Sequence, residues 1–106
     1  MTKNDQSIRA WCFPGVFSIE CIPTKRAFFG ETENQTIFYL RILLENLKRG
    51  YCDNEELLAD YQKYGRKNFR PDILTVGPEL LDREKRIKLV EEYKRSWVEK
   101  EKGTLY

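Results

Sequence analysis

Histidine is absent from the 106 residues of this chain. That absence excludes Ser-His and Cys-His nucleophile pairs, His-ligated zinc and haem, and any imidazole acting as a base near neutral pH. Cysteine is scarce: Cys12, Cys21 and Cys52 form an odd, widely spaced set without a CxxC pair. A disulfide framework or zinc ribbon needs paired, regularly spaced thiols, so these read as buried free thiols in a reducing compartment. No apolar run approaches the ~18 residues of a membrane span. The opening MTKNDQSIRA lacks the apolar stretch of a secretory signal. The expectation is a soluble, intracellular protein without a membrane span. Gly/Ser linkers, internal repeats and low-complexity segments are missing too. The length suits one domain burying roughly 60–70% of its unfolded surface.

Charge of one sign is also lacking. Lys and Arg number 19 against 17 Asp and Glu, a net +2, so non-specific attraction to nucleic acid does not follow from the total. Any basic patch has to be assembled by folding. Six Phe, six Tyr and two Trp supply the apolar surface that disordered chains lack.

Along the chain, residues 1–13 are mostly polar and read as an arm, residues 14–98 as the domain, and residues 99–106 as a fraying tail. Gly15 to Ile22 is rich in β-formers, with Phe17, Ile19 and Cys21 on one side and Val16, Ser18 and Glu20 on the other. Pro23-Thr24-Lys25 is a turn and Arg26 to Gly30 resumes the pattern, which predicts a hairpin. Thr32 with Gln35 reads as a capping box opening a largely buried helix through Ile37, Leu40, Leu44 and Leu47, closed by Gly50. A second helix starts at Asp53 or Asn54 and stops at Gly65. Phe69 to Val76 is a third strand, placed near an edge or start by Pro71. Leu80 to Trp97 is a long charged helix with a stripe of Leu80, Leu81, Ile87, Val90, Tyr93 and Trp97. The order β-β-α-α-β-α implies a small α+β domain, a short antiparallel sheet flanked by helices.

Gly15-Val16-Phe17 and Phe28-Phe29-Gly30, on the paired strands, resemble the two halves of the signature of the GIY-YIG nuclease superfamily. Asn54, Leu57, Tyr64-Gly65 and Asn68-Phe69 stand where that family often reads N-x-x-L, Y-G and N-F before the third strand. The resemblance spans residues 14–76. It implies a metal-dependent endonuclease or nuclease module, with two signature tyrosines around water and phosphate, an arginine on the first helix and a glutamate on the last helix holding Mg²⁺ or Mn²⁺.

The chain departs from that pattern at the chemistry. Phe17 and Phe28 occupy the tyrosine positions, and phenylalanine neither donates a hydrogen bond nor passes a proton. The family arginine position falls at or near Tyr39, and Arg41 lies about 200° further around the helix. A frequent histidine position is Leu43. Glu84, which follows an arginine, and Glu92, favoured by counting back from Tyr106, compete for the glutamate, and the family's late asparagine has no counterpart. Each such group is typically worth ~100-fold or more in rate.

Phe17, Phe28 and Phe29 read equally as core aromatics of a hairpin, and Arg41 as a helix-edge residue paired with Glu45 at i+4. Lys63, Arg66, Lys67 and Arg70 surround the end of the second helix, where cations suit the helix dipole or a phosphate-contacting patch with Tyr61 or Tyr64 available for stacking. Arg83, Lys85, Arg86 and Lys88 read as a solvated face. The expectation is a GIY-YIG-like domain without catalysis or cofactor. It serves as a nucleic-acid-binding or structural subunit of a larger nucleoprotein or multi-protein assembly, with Lys48, Arg49, Lys63, Arg66, Lys67 and Arg70 as the contact surface. The alternative is an active Mg²⁺- or Mn²⁺-dependent endonuclease of homing or repair type, using Arg41 and Glu84 or Glu92.

Overall fold

GVFSIEC forms strand β1 (Gly15–Cys21), the centre of a computed structural model that describes residues 13–106. The arm up to Cys12 lies outside the described residues. Strand β2 (Arg26–Thr32) pairs antiparallel with β1, Gly15 opposite Thr32 and Cys21 opposite Arg26. The turn between them is closed by the Lys25 amide donating to the Cys21 carbonyl at 2.9 Å. Strand β3 (Phe69–Val76) runs antiparallel along the other side of β1, with one extra residue, Leu74, between the Thr75 and Ile73 pairings. The sheet order is β3-β1-β2-β4, so β3 is an edge and Pro71 removes no ladder bond that an outer neighbour would need.

Helix α1 (Thr36–Arg49) starts later than the Thr32–Gln35 capping box implies. Thr32 instead ends β2, and its Oγ1 accepts from the Asn34 amide at 3.0 Å. The helix entry is held from outside: the Thr36 hydroxyl and amide both donate to the Phe13 carbonyl, at 2.7 and 3.2 Å. At the other end Gly50 takes a left-handed conformation, φ 88°, as a closing glycine does. The helix is less buried than its leucines suggest. Thr36, Leu40 and Leu47 are buried, whereas Phe38, Tyr39 and Ile42 stay exposed.

Helix α2 (Glu55–Tyr64) begins at Asn54, whose Oδ1 accepts from the Leu57 amide at 3.0 Å, with Glu55 and Glu56 in its first turn. It ends at Gly65, φ 82°, and a single 3₁₀ turn, Arg66–Asn68, leads into β3. The last helix, α3 (Arg83–Glu99), is preceded by a separate 3₁₀ turn, Pro78–Leu81, and capped by Asp82. Leu81 and Ile87, assigned to its apolar stripe, are exposed.

The segment read as a tail contributes a strand. Gly103 passes beneath the Trp97 ring, and Thr104–Leu105 form a two-residue strand, β4, parallel to β2. The Trp97 indole donates to the Thr104 carbonyl at 2.9 Å, and the Tyr106 amide to the Ala27 carbonyl at 3.1 Å. The sheet is thus four-stranded and mixed. Helices α1 and α2 pack on the face carrying Phe17, Ile19 and Cys21, forming a core with Leu40, Leu47, Leu57, Tyr61 and Phe69. Helix α3 covers the opposite face, where Tyr93 and Thr75 hydroxyls lie 2.6 Å apart. None of the helices among the described residues is long and apolar enough to cross a membrane.

Candidate functional site

Two glycines of the signature-like segments are demanded by packing. A Cβ on Gly15 would lie 2.5 Å from the Thr75 carbonyl oxygen and 2.7 Å from Thr36 Oγ1, and one on Gly30 would lie 2.5 Å from Phe17 Cζ. The downstream residues are similarly placed. Leu57 is fully buried. Asn68 donates from its side chain to the Tyr64 carbonyl at 2.6 Å, satisfying a carbonyl at the α2 C-terminus.

β4 pairs with β2 only at Arg26 and Ala27, so the rest of that edge has no strand neighbour among the described residues. Beside it opens a cavity of ≈ 610 Å³, whose walls include Phe17, Phe28 and Gly30 from β1 and β2, and Tyr39 and Leu43 from α1. The Phe17 ring lies 6.2 Å from Phe28 and 5.7 Å from Tyr39, centroid to centroid, both tilted. Phenylalanine, leucine and one exposed phenol surround the space where the resemblance implies tyrosines, arginine and histidine. α3 contributes Ile87, Val90 and Glu91.

Neither Glu84 nor Glu92 reaches this cavity. Glu84 is exposed at the α3 start, its amide bound by Asp82 Oδ1 at 3.0 Å, and Glu92 faces a different cavity with Lys85 and Lys88. The α3 glutamate that lines this cavity is Glu91. It follows Val90 and lies four residues after Ile87, at the edge of the stripe, which was a readable signal. Its carboxylate is 3.8 Å from Lys94. The cavity's other carboxylates are Asp53 and Glu31, and Glu31 accepts from Arg86 Nε at 2.6 Å. Among the described residues no three His, Cys, Asp or Glu side chains converge as metal ligands. The donors at this cavity therefore do not make a protein cage for a hard cation.

Arg86 departs from the solvated face assigned to it. It is 3% exposed and also donates to the Leu80 carbonyl at 2.7 Å and the Leu81 carbonyl at 3.1 Å. Its position four residues before Val90 puts it on the buried stripe of α3, where a buried guanidinium requires a carboxylate and carbonyls as partners.

The expected contact surface divides. Lys48 and Arg66 line one cleft of ≈ 420 Å³ with Arg41, Glu45 and Tyr61. Arg49 is diverted to Glu45 at 3.3 Å, so Glu45 pairs with Arg49 and not with Arg41. Lys63 lies over the Tyr64 ring at 5.2 Å and Lys67 is exposed. Arg70 leaves this group altogether. It binds Glu20 at 2.5 Å beside Ser18 and Tyr93, on the α3 face of the sheet. The alternation of β3 decides this, because Phe69 points into the α1–α2 core and its neighbour must point away.

Tyr106 is anchored by polar contacts that the sequence did not reveal. Its hydroxyl donates to Asp60 Oδ2 at 2.9 Å, and the Arg26 guanidinium stacks 4.3 Å from its ring centre. Arg26 also pairs with Glu56 and lies 3.7 Å from Asp60. Burial, with hydrogen bonding to Cys21 and Asp60, pushes the phenol well above its ordinary pKa.

Compared with protein-family models, curated proteins and solved structures, the chain matches none of them.

Proposed function

We propose that this chain is a GIY-YIG-like domain without nuclease activity that contacts nucleic acid as part of a larger nucleoprotein or multi-protein assembly. The observation that carries this reading is the composition of the cavity beside β2. Gly15, Gly30, Asn54 and Asn68 have structural work, whereas Phe17, Phe28, Tyr39 and Leu43, the residues at positions where the resemblance implies reacting groups, line one cavity. Phenylalanine and leucine offer no hydrogen bond to a developing oxyanion and no proton to a leaving group. A fold that keeps its packing rules while lacking its reacting groups suits recruitment as a binding scaffold.

The nucleic-acid part of the reading draws on exposed cations near the α1 and α2 ends. Lys48, Lys63, Arg66 and Lys67 are exposed, and none forms an ion pair among the described residues. Incubation of the purified chain with supercoiled DNA and Mg²⁺ or Mn²⁺ is expected to leave the DNA intact. Metal-dependent nicking abolished by Glu91→Ala, Glu84→Ala or Glu92→Ala would establish the endonuclease instead. Binding to a labelled oligonucleotide is expected to weaken as salt rises and on Lys63→Gln/Lys67→Gln substitution. Absence of any binding would leave a protein-contacting subunit as the reading.

A further inference from the structure

We propose that the cleft between α1 and the turn after α2 holds two successive phosphates of a nucleic-acid strand, through Arg41, Lys48 and Arg66. The proposal rests on the nucleic-acid reading above and gives it a specific seat. Arg41, Leu44, Glu45 and Lys48 stand at i, i+3, i+4 and i+7 on α1, and so form one stripe along the helix. The axial rise separates the Arg41 and Lys48 Cα atoms by roughly 10.5 Å. Opposite that stripe, the chain leaves α2 through Gly65 in a positive-φ conformation and starts the 3₁₀ turn with Arg66, which lines the same cleft.

The three cations share one cleft and are uncommitted there, as the nearby Lys63 and Lys67, which do not line it, also are. Arg26, Arg49, Arg70, Arg86 and Lys94 each lie within ion-pair distance of a carboxylate, while Arg41, Lys48 and Arg66 do not among the described residues. Glu45 is the single carboxylate lining the cleft, and Arg49 neutralises it at 3.3 Å. The α1 C-terminus adds roughly half a negative charge near Lys48, which three full positive charges outweigh.

The class of ligand follows from geometry. Guanidinium forks match phosphate oxygens in pairs, and an ammonium serves as a point charge. Cations spread over roughly 10.5 Å span more than one phosphate, which suits consecutive phosphates of a strand better than a lone anion. Ile42, 60% exposed, and Leu44 give an apolar shoulder beside the charges, where sugar or base surface can rest. The cleft is distinct from the aromatic cavity, since Arg41 and Tyr39 lie on opposite sides of α1 and line different spaces.

The test uses the full chain with two probes, inorganic pyrophosphate and a fluorescent 12-nucleotide single strand, at several salt concentrations. The variants are Arg41→Gln/Lys48→Gln/Arg66→Gln and, as a control on α3, Lys85→Gln/Lys88→Gln, all at exposed positions and checked by thermal melting. The expected result is that the triple variant binds the strand at least tenfold more weakly, whether or not the wild type also holds pyrophosphate, and that any pyrophosphate binding is lost with it. The magnitude of its log–log salt slope should fall by about 1.4, the value for two single-strand phosphates, with the control unchanged. Equal losses in the control, unaltered binding in the triple variant, or a wild-type chain that binds neither probe would overturn the proposal. If the strand is bound but lost only on Lys63→Gln/Lys67→Gln, the cleft is refuted and the nucleic-acid reading survives. Pyrophosphate held by the cleft with no strand bound refutes both the strand as ligand and that reading.

Discussion

The ring of Phe17 lies across the backbone of Gly30, its partner on the adjacent strand, with Cζ 2.5 Å from where a Cβ would be. The glycine exists to receive the ring, and the ring fills the space a side chain would occupy. Gly30→Ala is therefore expected to destabilise the fold by about 1–3 kcal/mol through overpacking. Phe17→Leu should relieve part of this, so the double variant loses less than the sum of the single ones in denaturant unfolding. Strict additivity would show that the two residues do not share this contact.

Arg86 and Glu31 join α3 to β2 through a pair whose arginine side chain is 4% exposed. Removing the acid alone leaves a desolvated guanidinium with only carbonyl partners. Glu31→Gln should lower stability by about 1.5–3 kcal/mol. The double variant Glu31→Gln/Arg86→Met is expected to recover part of that loss, because the buried charge is gone. Urea midpoints of the three variants decide it.

Tyr106 is held neutral by burial and by hydrogen bonds to Cys21 and Asp60. Its folded pKa lies above the unfolded value, so its contribution is complete below about pH 10 and declines as pH rises beyond that. The melting temperature is expected to fall above pH 10 more steeply in the wild type than in Tyr106→Phe. Parallel curves would mean that the phenol is not the titrating group.

Asn54 caps α2 through the Leu57 amide. Asn54→Ala should be worth about 1 kcal/mol of stability, and Asn54→Asp should be tolerated because the carboxylate accepts the same bond and suits the helix dipole. Equal losses for both substitutions in thermal unfolding would discount the cap.

Local rules account for most of what the sequence makes legible. Alternation in GVFSIEC, the turn at Pro23-Thr24-Lys25, the Asn54 cap and the glycines at 50 and 65 each act within a few residues. Thr32 misleads for the opposite reason. Its hydroxyl satisfies Asn34, and α1 is anchored by a carbonyl 23 residues away. The aromatic cavity is partly readable, since alternation puts Phe17 on the helix-covered face of the hairpin, whereas its meeting with Phe28, Tyr39 and Leu43 depends on how α1 packs. Glu91 needs the rotation of α3 about its axis.

The sequence by itself determines the β-β-α-α-β-α order, the α+β class, the lack of imidazole in these 106 residues and the phenylalanines at positions 17 and 28. These depend on residue identity and short-range periodicity. Tertiary structure alone decides which charges are free. Arg86 is drawn inward by Glu31, Arg49 by Glu45 and Arg70 by Glu20, while Arg41, Lys48 and Arg66 are left facing one cleft. It also decides that the chain's last residues close the sheet as a fourth strand, with Tyr106 seated between Arg26 and Asp60. The reason is physical: side-chain charges and edge hydrogen bonds find their partners across tens of residues, and only packing brings those partners within reach.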